Sequence, residues 1–375
     1  MKTVGVVRER NNQESRVSLV PASVGDIIKT GASVVVEKNA GLRAGYGDSE
    51  YEKFGATILE NRADVFKAAD VILAVDGSDF TPEDEVAGKL LLALFDPYFN
   101  RSLLDSLQKR KASIVALELI PRISRAQSMD VLSSQANLAG YVAVISAAQR
   151  LNKVMPLFMT AAGTIKPARV LIVGAGVAGL QAIATAKRLG AVVFAYDVRS
   201  AVKEQVGSLG AKFVEINLDE SGEGEGGYAK SLSEASLLKQ RSMLTDFAKD
   251  CDIIITTAQI PGKTAPRLLD TRLLSQVKPG SVIVDMAAKT GGNIEGSIVD
   301  QWLQIDNAWL YGADNLARHV AKDASFAMSK NICSLLNLFL SQGFSLKDEI
   351  IMHSTICHEG RWTHQAFGAI EKDEQ

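Results

Sequence analysis

Residues 170–199, VLIVGAGVAGLQAIATAKRLGAVVFAYDVR, constrain this chain more than any other stretch. Four apolar residues, 170–173, read as a buried parallel strand. Gly174, Gly176 and Gly179 follow in G-x-G-x-x-G spacing. An apolar run closing on Lys187, Arg188 and a Gly190 stop reads as a helix, and a second strand over 192–196 delivers Asp197.

Each residue type has a physical job in such a unit. Gly174 permits the tight turn, Gly176 lets the backbone approach a pyrophosphate, and Gly179 brings helix and strand together. The helix N-terminus offers N–H groups and a positive dipole end to the phosphates. Asp197 lies 18 residues beyond Gly179, near the spacing of about 20 expected of a carboxylate that binds a ribose 2′-hydroxyl. A carboxylate there repels a 2′-phosphate, so NAD is favoured over NADP. Arg199 dissents, because an arginine nearby serves NADP.

At 375 residues the chain predicts two domains, and 47% hydrophobic with 22% charged residues is globular composition. A net charge of −2 with no basic run argues against nucleic acid as a partner. Cys251, Cys333 and Cys357 are too few and too scattered for a disulfide framework, which fits a reducing, cytosolic setting. The apolar run 332–346 falls short of the roughly 20 residues of a membrane helix, so no direct membrane insertion is expected. His353, Cys357, His358 and His364 match no tight metal-site spacing, and no metal is expected.

The first third alternates short β-rich runs (3–7, 33–36, 71–75, 90–95, 114–117) with helical patterns (21–30, 48–54, 61–68, 100–110). This alternation predicts a doubly wound parallel sheet without a glycine fingerprint of its own. Residues 132–151 read as one long helix with small residues on several faces. Strands at 170–173, 192–196, 212–214, 253–256, 282–285 and 309–311 complete a dinucleotide-binding sheet. A further helix over 321–340, capped by Asp323 or Ser325, returns the chain to the first domain. The expected fold is α/β, with two doubly wound, Rossmann-like domains joined by long helices. Residues 1–133 and 321–375 form a discontinuous N-terminal domain, and 134–320 form the nucleotide domain with its linking helix. The glycine-rich segment 219–230 reads as a surface loop or as a mobile lid carrying Tyr228.

Residues 118–135, ELIPRISRAQSMDVLSSQ, pack arginines, glutamines, serines and an aspartate between a strand end and a helix. Ligands of doubly wound sheets sit beyond the strand C-termini, where such a cluster can meet a carboxamide. The same residues also suit a helix-capping loop. PRISRAQSMDVLSSQANLAGY, TAAGTIKPARVLIVGAGVAGLQAIATAKRLGA and DVRSAVKEQVGSLGAKF together resemble the soluble NAD(H)-binding alpha subunit, domain I, of proton-translocating NAD(P) transhydrogenases. The likeness continues through RVSLVPASV, GGYAK, TTAQIPGKTAPRLL, KPGSVIVDMAAKTGG and DASFAMSKNI, nearly the whole chain.

The resemblance implies that Arg122, Asp130 and Ser133 position the nicotinamide carboxamide and that Gln127 reaches toward a second nucleotide. It gives Gly174, Gly176 and Gly179 the pyrophosphate and counts Val177 and Ala178 among the nucleotide-binding residues. Asp197 takes the adenosine ribose, Val198, Arg199 and Ala258 count among the nucleotide-binding residues, and Tyr228 rides on the lid. The implied reaction is direct hydride transfer from NADH here to NADP⁺ on a partner subunit, coupled to proton translocation through a separate membrane subunit. A homodimer, cytoplasmic and peripheral to the inner membrane, is also implied. Two other readings compete: an alanine dehydrogenase-like enzyme and a non-catalytic NAD(H) sensor. Arg16 stands where alanine dehydrogenases keep a substrate arginine. Asp76 replaces their lysine, no histidine stands near Leu94 and Phe95, and Lys289 replaces their aspartate. Ala317 is a second departure, from a proline common in the transhydrogenases.

Overall fold

The computed structural model describes residues 2–216, 233–260, 262–269 and 271–368, so segment 219–230 and its Tyr228 lie outside the described residues. Contacts divide the chain into two compact units, Met1–Gln135 with Arg318–Gln375, and Ala136–Ala317. The first begins β1 (Thr3–Val6), α1 (Pro21–Ile28), β2 (Ser33–Glu37), α2 (Asp48–Lys53), β3 (Thr57–Leu59) and α3 (Arg62–Ala68). β4 (Val71–Asp76), β5 (Leu90–Leu94), α4 (Arg101–Lys109) and β6 (Ser113–Ala116) follow. Helix α5 (Val131–Arg150) carries the chain into the second unit. There it forms an exposed hairpin, β7 (Phe158–Thr160) and β8 (Gly163–Ile165), and then β9 (Arg169–Val173), α6 (Val177–Arg188), β10 (Val192–Tyr196), α7 (Lys203–Ser208) and β11 (Lys212–Phe213). After α8 (Glu234–Ala248) come β12 (Ile253–Thr256), α9 (Arg272–Gln276), β13 (Ser281–Asp285), β14 (Gln301–Ile305) and β15 (Ala308–Gly312). Helices α10 (Ala321–Gln342) and α11 (Glu349–Ser354) with strands β16 (Thr355–His358) and β17 (Arg361–Trp362) return it to the first unit.

Both sheets are doubly wound, as the alternation predicts. In the first unit the strand order is β17-β16-β6-β5-β4-β1-β2-β3, parallel from β3 to β6 and closed by the antiparallel β16 and β17. In the second it is β11-β10-β9-β12-β13-β15-β14, with only β14 antiparallel. The central strands are buried on both faces, which explains their unbroken Val, Ile and Leu runs. Each sheet reverses direction beside its first strand, and ligands bind at that switch point, beyond the strand C-termini.

The two switch points differ in chemistry. Beyond β1, the Glu9 carboxylate accepts the Val75 N–H at 2.6 Å and the Asp76 N–H at 3.3 Å, taking backbone donors that a phosphate would need. Arg10 and Arg62 pair there with Asp79 and Asp84 at 3.0–3.2 Å. Chain-supplied charges thus fill the first unit's crevice.

Two carboxyls of this unit are fully buried. Burial pushes Glu9 up from 4.5 to about 8 and Glu118, just past β6, up to about 7. Glu118 Oε1 accepts the Asp96 N–H at 2.6 Å, whereas Oε2 is buried without a partner among the described residues. A carboxyl with a raised folded pKa binds more protons folded than unfolded, so stability falls as pH rises from about 4.5 through 7 to 8. Urea midpoints should therefore decline from pH 5 to pH 9. Glu118→Gln, which carries no charge to desolvate, should flatten part of that decline. An unchanged slope in this variant would remove Glu118 as a cause.

The start of α10 departs from expectation. Its N-cap is Val320, with no side-chain cap. The Ser325 hydroxyl instead accepts the Val17 N–H at 2.9 Å, and Ser329 accepts that of Val20 at 3.0 Å. The reason is burial. Residues 17–20 run through the core without a strand partner, and serines on the packed face of α10 supply the acceptors their backbone would otherwise lack.

Candidate functional site

The second unit assembles its site at the C-terminal ends of β9 and β12. Gly174 has φ of +101°, and a Cβ there would stand 2.5 Å from the Thr257 hydroxyl. That hydroxyl donates to the Gly174 carbonyl at 3.0 Å and fastens the turn to β12. A Cβ on Gly179 would overlap the Gly174 carbonyl oxygen, and one on Gly140 of α5 would overlap that of Ala178. Gly176 differs from these. It is the N-cap of α6 with no capping side chain, and a Cβ on it would meet nothing within 4 Å. Open space over an uncapped helix N-terminus, rimmed by half-buried Val177 and Ala178, is a cradle of the kind a pyrophosphate fills.

Asp197 follows β10 and is 8% exposed. Its Oδ2 accepts the Ala175 N–H at 2.7 Å, which ties it to the glycine turn. Arg199 closes back onto it, donating from Nε and its own N–H to Oδ1 at 2.9 Å and from Nη2 to Oδ2 at 2.7 Å. The carboxylate beside it raises the Arg199 pKa further, so the guanidinium stays charged. Val198, between them, packs against the core. Ala258 follows β12, and its backbone is already engaged. Asn293 Oδ1 accepts its N–H at 3.1 Å, and Asn293 Nδ2 donates to its carbonyl at 2.8 Å.

That asparagine belongs to a buried network that sequence reasoning missed. Asp285, at the end of β13 and fully buried, accepts from Thr256 Oγ1, Ala287 N–H and Asn293 N–H through Oδ1. Through Oδ2 it accepts from Ile294 N–H at 3.1 Å and Ser297 Oγ at 2.7 Å. One carboxylate therefore holds residues 286–297, and Asn293 passes that order on to residue 258. The signal in the sequence is an acid ending the apolar run 282–284, followed by GGN at 291–293. Lys289, on the same loop, is exposed.

In the first unit, residues 122–130 form a braced loop with a 3-10 helix over Ser124–Met129. Ala126 and Met129 are buried, while Arg122 and Gln127 are exposed. Arg125 grips Asp348 at 2.7 and 3.2 Å and holds that carboxyl below the usual carboxylate range. Asn331 Nδ2 donates to the Ser128 carbonyl at 2.8 Å. Asp130 and Ser133 are brought together at the start of α5. Asp130 Oδ1 accepts the Ser133 N–H at 2.8 Å and Oδ2 the Ser133 hydroxyl at 2.6 Å, so Asp130 caps the helix. Carboxylate oxygens have two acceptor sites each, which leaves Asp130 capacity for a ligand N–H. Arg16 is 2% exposed and donates from Nε and Nη2 to Glu14 and from Nη1 to Gln135 at 2.7–2.9 Å.

A doubly wound sheet, an open glycine turn and an acid closing the next strand define a dinucleotide-binding α/β protein with a second α/β unit. The family models Alanine dehydrogenase/PNT, N-terminal domain and Alanine dehydrogenase/PNT, C-terminal domain match residues 5–139 and 143–365. The first portion of the NAD(P) transhydrogenase subunit alpha of Rickettsia prowazekii is 44% identical over 96% of both chains. A crystal structure of transhydrogenase from Sinorhizobium meliloti superposes with a TM-score of 0.84 at 40% identity, covering 97% of this chain and 100% of that one. An L-alanine dehydrogenase structure shares the fold, with a TM-score of 0.82 at 24% identity, covering 97% and 98%. This chain belongs to the alanine dehydrogenase/PNT family, on the branch of the NAD(P) transhydrogenase alpha subunits. It is an oxidoreductase subunit, and membership implies a nicotinamide nucleotide as ligand and further subunits as partners.

Proposed function

We propose that this chain binds NAD(H) and exchanges hydride with NADP(H) held on a partner subunit, as the NAD(H)-binding component of a proton-translocating transhydrogenase. The observation that carries the reading is the turn itself. Gly176 keeps a cradle open over the N-terminus of α6, and Asp197 is fastened beside it by the Ala175 N–H. Gly174, Gly176 and Gly179 would hold the pyrophosphate, with Val177 and Ala178 as further nucleotide-binding residues. The adenosine ribose would meet Asp197, and Val198, Arg199 and Ala258 are further nucleotide-binding residues.

Arg122, Asp130 and Ser133 would position the nicotinamide carboxamide. Hydride passes directly between the C4 atoms of two nicotinamides, carrying two electrons and releasing no heteroatom proton. The residues therefore need only hold the rings about 3–3.5 Å apart and exclude water. Neither a general base nor a nucleophile is required. Buried Ala126 and Met129 fix the loop that presents Gln127, whose exposed amide serves alignment with the partner's nucleotide.

Partner subunits carry the NADP site and the membrane path, and this chain works at the cytoplasmic face of the inner membrane. A second copy completes the component. Its support is the β7–β8 hairpin, exposed along its whole length, with Leu157, Phe158, Met159 and Ile165 facing solvent. A lone two-stranded hairpin is marginal in water without a cover. The transhydrogenase reading outranks an amino-acid dehydrogenase because Arg16 is buried and already paired, and Asp76, not a lysine, ends β4.

The test mixes this chain with an NADP-binding transhydrogenase subunit and follows hydride transfer from NADH. Gln127→Asn should leave the NADH dissociation constant within about twofold while lowering the transfer rate at least tenfold, since a 1 Å misplacement costs on the order of a hundredfold. Equal losses in binding and rate would overturn the role of Gln127. Absence of transfer in the unaltered pair would favour the sensor reading.

A further inference from the structure

The side chain of Gln127 is exposed, so where its amide stands is set by the backbone that carries it. That backbone is clamped on both sides. Two residues before it, Arg125 donates from Nη1 to Asp348 Oδ2 at 2.7 Å and from Nη2 to Oδ1 at 3.2 Å. One residue after it, the Ser128 carbonyl accepts from Asn331 Nδ2 at 2.8 Å. Asp348 is itself fixed, because its Oδ1 caps α11 by accepting the N–H groups of Ile350 at 2.9 Å and Ile351 at 3.4 Å. Helix α11 runs directly into β16, which pairs with β6, and β6 leads back into the loop. Neither clamp is explained by stability. The Arg125 side chain is half exposed, and exposed ion pairs add little to folding. Asn331 Oδ1 is buried with no partner among the described residues, which opposes folding, and turning the amide over would set two oxygens against each other.

We propose that Asp348 and Asn331 are positioning residues of the hydride-transfer step, acting through Arg125 and Ser128 to fix where Gln127 presents its amide. The inference rests on the transhydrogenase reading proposed above and adds α10 and the C-terminal segment to the working parts of that site. Transfer between two rings is steep in distance, so a loosened loop lowers the rate first. Affinity for NADH rests on the glycine turn and on the side chains of Asp130 and Ser133, which neither clamp touches.

The test measures, on the whole chain, the NADH dissociation constant, the urea midpoint and the transfer rate to a saturating transhydrogenase subunit loaded with NADP⁺. Asp348→Asn keeps the cap of α11, since asparagine caps as well as aspartate, but turns Oδ2 into a donor facing Arg125. Asn331→Leu removes the stranded oxygen together with its clamp, so its midpoint should hold or rise. Each should lower the transfer rate about tenfold, within the roughly hundredfold that 1 Å of misplacement costs, and leave the dissociation constant within about twofold. In a Gln127→Asn background the same substitutions should lower the rate by less than about twofold, because the amide they aim no longer reaches. Full losses in that background would overturn the proposal, as would unchanged rates in the otherwise unaltered chain or a loss of rate matched by a loss of affinity. Should Asp348→Asn lower the midpoint, Arg125→Lys loosens the same clamp from its other end, keeping the charge without the two-pronged contact. Absence of transfer in the unaltered pair would instead remove the transhydrogenase reading, and this inference with it.

Discussion

Gly179→Ala should abolish NADH binding and lower the stability of the second unit, at the upper end of the roughly 1–3 kcal/mol that overpacking costs. The added methyl would overlap the Gly174 carbonyl oxygen, which is backbone and cannot rotate aside. The Thr257 hydroxyl holds that same carbonyl at 3.0 Å, so relieving the clash means parting α6 from β9 or breaking the tie to β12. Gly176→Ala is the informative contrast. Its Cβ enters open space at a φ of −77°, so the urea midpoint should stay put, with surface-like changes within about 0.5 kcal/mol. NADH affinity should nevertheless fall, because the methyl takes the room reserved for the pyrophosphate. If Gly176→Ala left affinity untouched, the nucleotide would lie elsewhere.

Asp285→Ala should cost on the order of 4 kcal/mol, the largest loss expected of any single side-chain removal here. The substitution strands Thr256, Ala287, Asn293, Ile294 and Ser297, each previously donating to one buried carboxylate. A buried donor left unsatisfied costs about 1–3 kcal/mol, and the sum is less than five such terms because the freed loop can reach water. Ser297→Ala, which removes a single donor, should cost about 1 kcal/mol by the same reasoning. Denaturant unfolding measures both, and a loss below 1 kcal/mol for Asp285→Ala would show that residues 286–297 hold themselves.

Much of this architecture was legible because the parallel strands are buried on both faces. Residues 90–95, 192–196 and 253–256 are continuous apolar runs bounded by polar turns, and they became β5, β10 and β12 almost to the residue. The short strands were not legible. β7, β8 and β14 are exposed or half-exposed, so their sequences carry no burial pattern, and β16 and β17 are fixed by pairing to β6 rather than by composition. In the site, the glycines and Asp197 were readable because spacing dictates them. The Asp285 and Asn293 network was not, since its partners are mostly backbone groups gathered by the fold. The grip of Arg199 on Asp197 likewise depends on a rotamer that sequence does not express.

The hairpin that closes the first sheet has a consequence for biogenesis. Strands β16 and β17, and the α10 serines that serve residues 17 and 20, are translated after the whole of Ala136–Ala317. The glycine-turn unit can mature on the ribosome as soon as it has emerged, while the half made earliest stays unfinished, its β6 edge and the N–H groups of Val17 and Val20 waiting for segments not yet synthesised. Nascent chains stalled once Ala317 has cleared the exit tunnel, with β16 and β17 still inside it or unmade, would therefore resist protease in their middle and yield at their front. Chaperone demand during synthesis would then fall on the residues that left the tunnel first.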